Sequence, residues 1–70
     1  MAETTIGQQE LALLRHIADR DGSTVGETLE QFGVPRQLAR STIFTMMERL
    51  RHKGYLGRRL HNGVYEYRAR

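Results

Sequence analysis

Residues 35–54 read PRQLARSTIFTMMERLRHKG. At the helical period Arg36, Ala39, Ile43, Met46, Met47 and Leu50 share one side of this stretch. Ser41, Thr45, Glu48 and His52 lie opposite, with Arg40, Thr42 and Phe44 on the flanks. An apolar stripe behind, with hydroxyls and an arginine at the exposed start, suits the DNA major groove, where the first residues of a recognition helix reach base edges. Pro35 blocks a continuous helix from the preceding segment, and Gly54 can take the left-handed backbone that closes a C-terminus. The helix is expected to begin between Arg36 and Arg40, at the later end of that range, with Pro35–Leu38 as the turn before it.

Ahead of that turn, Thr24-Val25-Gly26-Glu27 is a Thr-x-x-Glu capping box, which starts a second helix at Val25. This helix should bury Val25, Leu29 and Phe32 and stop at Gly33. Ser23 and Thr24 could add a very short strand to a later sheet. Further upstream, Gly7 can cap a first helix with Glu10 reaching back to it, while Ile6 and Leu11 occupy the staple positions. Thr5 is a competing cap. Leu11, Leu14, Ile17 and Ala18 give a buried face with Leu13 at its margin, and Asp19, Asp21 and Gly22 end the helix near Arg20. Met1–Thr5 has no periodic pattern and reads as a flexible tail.

Beyond Gly54, two strand-like runs, Tyr55–His61 and Val64–Ala69, flank Asn62-Gly63. Asn-Gly is the strongest two-residue hairpin signal, because both central residues need positive φ. The loop length then sets the register: His61 faces Val64, Leu60 faces Tyr65, Arg59 faces Glu66 and Arg58 faces Tyr67. Leu56, Leu60, Tyr65, Tyr67 and Ala69 fall on one side of the ribbon. Arg58 interrupts that side; either it lies against Tyr67, or the ribbon tip extends past the body. Three helices followed by a hairpin make a mainly α winged helix-turn-helix over residues 6–70.

Seventy residues allow one small domain and exclude a two-domain enzyme. There is no cysteine, which removes disulfides and thiolate metal sites. The apolar runs are too short for a signal peptide or membrane span, which points to a cytoplasmic protein. The net charge of +3 is unevenly spread. Residues 1–35 hold two basic groups against six acids, and residues 36–70 hold nine basic groups against Glu48 and Glu66. Such segregation is the electrostatic footprint of a nucleic-acid binder, and with the helix and hairpin above the expected partner is double-stranded DNA.

Within that frame Arg40, Ser41, Thr42 and Thr45 are candidates for base edges or nearby phosphates: arginine can pair with guanine, and a threonine methyl can pack on thymine. Phe44, at about 100° from the apolar centre, either joins them or packs on the second helix. Arg51, Lys53, Arg58, Arg59 and Arg68 suit phosphates, which position without specifying. Arg49 lies where it can pair with an acid of the first two helices. No catalytic constellation is visible. His16, His52 and His61 sit on separate elements away from metal-ligand spacing, Ser41 has no partner histidine, and no Gly-rich phosphate loop is present. Neither a metal nor a cofactor is expected.

The pieces Ile6-Gly7-x-x-Glu10, Thr24-Val25-x-Glu27, Ser41-Thr42-Ile43-x-Thr45-Met46-Met47-x-Arg49-Leu50-x-x-Lys53-Gly54-Tyr55-Leu56 and Gly63-x-Tyr65-x-Tyr67 together carry a family resemblance. The chain resembles the DNA-binding domain of the penicillinase-repressor (BlaI/MecI/CopY) family of bacterial winged-helix repressors, over residues 6 to 68. The resemblance implies repression by a homodimer on inverted-repeat operators, read by the third helix through Ser41, Thr42 and Thr45; Arg40 and Phe44 fall at variable positions. Family targets include β-lactamase and copper-homeostasis genes. Family members usually continue into a helical dimerisation region, whereas this sequence reaches Arg70, as an excised domain or a short relative would. The cysteine-rich tail of copper-responsive members has no counterpart here. A reading from another class is a winged-helix protein–protein interaction module without specific DNA binding.

Overall fold

The structure, a computed structural model, describes residues 6–70. The readings of Met1–Thr5 as a tail and of Thr5 as a cap lie outside the described residues. In chain order the elements are α1 (Gln8–Ala18), α2 (Val25–Thr28), α3 (Arg40–His52), β1 (Leu56–His61) and β2 (Val64–Ala69). A π-helical turn (Leu29–Gly33) and a 3-10 turn (Val34–Arg36) prolong α2. This is the mainly α winged helix-turn-helix expected, with a two-stranded antiparallel wing. Leu13, Ile17, Phe32, Ile43, Met46, Met47, Leu50, Leu56 and Tyr67 form one core drawn from every layer.

The face that α1 buries differs from the expected one. Leu13 and Ile17 are fully buried with Glu10 beside them, whereas Leu11 and Leu14 are half-buried and Ala18 is exposed. The stripe is rotated because Glu10 serves α3 instead of its own N-terminus. Its carboxylate accepts from Lys53 Nζ at 3.0 Å and lies 3.8 Å from Arg49, the acid partner expected for that arginine. A charged residue this well buried must be paired, and here the pairing orients the helix.

The capping box at Thr24 forms as read, with Glu27 N–H donating to Thr24 Oγ1 and Thr24 N–H to Glu27 Oε1, both at 3.1 Å. Gly33, however, does not stop the second helix. Its φ of −74° is helical, and the coil runs on to Arg36. A proline lacks the N–H that would bond to the carbonyl four residues back, and its ring collides with that carbonyl. The wide turn ahead of Pro35 accommodates both defects. Closure comes instead at Gln37, left-handed at φ 59°, with Leu38 N–H donating to Gly33 O and Gln37 N–H to Val34 O. Gly33 is needed for closeness: a Cβ there would lie 3.0 Å from Leu29 Cδ1 and 3.1 Å from Ile43 Cγ1.

The third helix begins at Arg40, and Lys53-Gly54 ends it. Gly54 takes φ 91°, Tyr55 N–H donates to Leu50 O and Gly54 N–H to Arg51 O, which is a Schellman closure. The wing has the expected register at every pair from Arg58↔Tyr67 to His61↔Val64, around Asn62 and Gly63 with φ 53° and 80°. Ser23 adds the short strand contact, exchanging both backbone hydrogen bonds with Tyr67 at 2.8 and 2.9 Å. Leu56 and Tyr67 at the wing base are fully buried, while Leu60, Val64 and Tyr65 at the tip are exposed. The tip therefore extends past the body.

Candidate nucleic-acid interface

Burying Ile43, Met46, Met47 and Leu50 leaves the opposite side of α3 to the surface. Arg40, Ser41, Thr42, Phe44 and Thr45 are all exposed there. Two local rules are broken at this helix start. The N-cap is Ala39, with no side-chain oxygen to accept from the first N–H groups, and the first turn carries Arg40 and no acid. A cation at the positive end of a helix dipole is unfavourable by itself and becomes favourable beside an anion.

Between the first turn of α2, the start of α3 and the wing lies a groove of about 860 Å³. Val25, Phe44, Val64 and Tyr65 line it, together with Arg40 and Ser41. Phe44 is 47% exposed, so it packs only partly and its outer edge is free. Arg40 reaches from α3 towards α2, its guanidinium 3.8 Å from where a Cβ on Gly26 would sit.

The expected phosphate-binding side chains fall into two groups. Lys53 is paired with Glu10, Arg68 with Asp21 at 2.6 Å, and Arg51 and Arg58 with Glu48 at 2.9 and 2.8 Å. Arg59 is exposed and has no acidic partner among the described residues, and the same holds for Arg40. Arg36, at the turn, stacks 3.8 Å above the Phe32 ring and donates to the Phe32 carbonyl.

Glu48 is the residue that joins α3 to the wing, and helical periodicity alone does not single it out. It accepts hydrogen bonds from Arg51, Arg58 and, at 2.5 Å, the Tyr67 phenol, with His52 at 4.0 Å. The Arg51 hydrogen bond above all, aided by that of Tyr67 and the Arg58 charge, holds its carboxyl down to about 2. Burial first, and then the Glu48 carboxylate, push the Tyr67 phenol above its ordinary value, so it remains a donor. Arg58 also lies 4.1 Å over the Tyr65 ring, which fixes that wall of the groove. One carboxylate thus joins α3 to both strands of the wing. The signal available in sequence was a lone acid on a basic helix, with an arginine three residues on.

The three histidines stay apart. His16 packs against Phe32 with ring centres 5.6 Å apart, and its buried Nε2 has no partner among the described residues. Burial, reinforced by the Arg20 charge, lowers its pKa. His52 and His61 are exposed. Among the described residues no cluster of three or more His, Asp or Glu could hold a metal ion, and no helix is long and apolar enough to cross a membrane.

A scan against models of protein families finds the penicillinase repressor family over residues 6–70. A search of curated proteins finds no match. A winged helix with an exposed Arg-Ser-Thr start to α3, matched over nearly its whole length, belongs to the penicillinase repressor family.

Proposed function

We propose that this domain binds double-stranded DNA sequence-specifically and represses transcription in the cytoplasm, two copies pairing on an inverted-repeat operator. In this reading α3 enters the major groove and the wing lies along the backbone or in the neighbouring minor groove. Arg40, Ser41, Thr42, Phe44 and Thr45 meet base edges. Arg51, Lys53, Arg58, Arg59 and Arg68 face phosphates, Arg59 with the full weight of an unpaired cation and the others through side chains already shared with a carboxylate. The observation that carries the reading is the polar, arginine-bearing start of α3, exposed beside the wing in a chain of a repressor family. Membership of that family supports repression as the outcome of binding.

The exposed apolar residues at the wing tip favour a second reading, a protein-interaction module without specific DNA binding. A salt titration separates the two. Duplex binding should weaken linearly on a log–log plot, with a slope of about −0.9 per phosphate neutralised. An apolar protein interface should barely respond to salt. Selecting bound sequences from random duplexes completes the test: a palindromic motif is expected, and salt-insensitive binding with no motif would overturn the proposal.

A further inference from the structure

We infer that the groove between α3 and the wing is an apolar seat for the deoxyribose edge of one DNA strand, and that it selects against a 2′-hydroxyl there. The inference rests on the docking proposed above. In a duplex the major groove and the neighbouring minor groove are separated by one sugar–phosphate strand. A protein with a helix in the first and a ribbon on or beyond that strand must let the strand pass between them. In this molecule the passage is the 860 Å³ groove.

Its lining is unlike that of a phosphate channel. Val25, Phe44, Val64 and Tyr65 are apolar or aromatic, and Arg40 is the cation among the lining residues. Val64 is 50% exposed, Phe44 47% and Tyr65 44%, so the core does not require them. Arg40 has no acidic partner among the described residues, so its charge favours the passing strand while its guanidinium reaches a base edge. The remaining chemistry of a backbone segment is the sugar, and deoxyribose presents bare carbon at C2′. The wall that would meet it is held in place, since Arg58 sits on the Tyr65 ring while bound to Glu48. Thr24 and Ser41 also line the groove, but where the sugar edge meets Val64 and Phe44 a ribose would push its hydroxyl against side chains that offer no hydrogen-bond partner. Burying an unsatisfied hydroxyl costs enough to lower affinity about tenfold or more.

The test uses a duplex selected from a random pool by the domain itself, resynthesised with one ribonucleotide at each position in turn. At one or two adjacent positions per half-site the ribonucleotide should lower affinity about tenfold or more, with little effect elsewhere. A 2′-fluoro nucleotide there shares the ribose pucker but cannot donate, and should bind like the deoxynucleotide. Val64→Thr, isosteric and able to bond a hydroxyl, should recover much of the loss. Small uniform losses, a 2′-fluoro penalty equal to that of ribose, or an unchanged penalty in Val64→Thr would each overturn the inference. Selective, salt-steep binding with no ribose-sensitive position sinks this inference alone. Failure to select any duplex, with salt-insensitive binding, sinks the docking and the inference together.

Discussion

The fully buried Tyr67 donates its phenol hydrogen to Glu48 Oε2 at 2.5 Å, tying the second strand of the wing to the surface side of α3. Arg58 reaches the same oxygen from the first strand. The angle between α3 and the wing is therefore set by a carboxylate that both share, and the geometry of any ligand held between them depends on it.

Tyr67→Phe keeps the core ring and deletes only that hydrogen bond. It should destabilise the domain by about 1.5–3 kcal/mol, the range for a hydrogen bond to a charged group. Denaturant unfolding should show a lower midpoint with an unchanged slope. Glu48→Leu, which leaves Arg51 and Arg58 without their carboxylate, should be the more damaging change.

Acid should act in two separate windows. Glu48 is held down to about 2 from an ordinary 4.5, so its contribution is complete above 4.5 and is lost as pH falls towards 2. His16 has a lowered pKa, so the unfolded chain takes up a proton near 6.5 before the folded one does. Stability should therefore begin to fall below 6.5 on its account. Glu48→Gln should flatten the lower window and His16→Gln the upper, as read from unfolding midpoints across pH.

Two glycines of the second helical segment should respond to alanine with opposite sign. At Gly33 the new methyl meets Leu29 and the buried Ile43 at 3.0–3.2 Å, so Gly33→Ala should destabilise by about 1 kcal/mol despite alanine's better helix propensity. At Gly26 the nearest atom is 3.8 Å away, and Gly26→Ala should stabilise by about 0.4–1 kcal/mol. Thermal unfolding of the two variants decides this.

On DNA, Thr45→Ala and Arg40→Ala should lower affinity for a selected duplex far more than for random duplex. Arg59→Ala should weaken both about equally and reduce the salt slope by about one counterion. Equal losses for all three in a gel-shift series would count against base reading by α3.

The parts of the fold that could be read directly were those where local chemistry leaves one solution. Asn62-Gly63 permits a single tight turn, and every cross-strand pair beyond it followed. Gly54 likewise ended α3 where its left-handed preference placed it. The readings at α1 and the end of α2 failed because distant partners overrode local rules. Glu10 turned inward towards Lys53, and Gly33 was occupied by the approach of Ile43. The exposed start of α3 was legible from periodicity. The Glu48 hub and the groove were not, because each is completed by wing residues that only folding brings near.

The backbone bridge between Ser23 and Tyr67 makes the wing a cantilever. Its root is held by that bridge and by Glu48, and three residue pairs, Arg59↔Glu66, Leu60↔Tyr65 and His61↔Val64, lie beyond it. That overhang spans about 10 Å at the rise of an antiparallel strand. Reach is thus a separate dimension from stability in this domain. Adding or deleting cross-strand pairs in twos would lengthen or shorten the arm, preserve which face each side chain presents, and leave the root untouched.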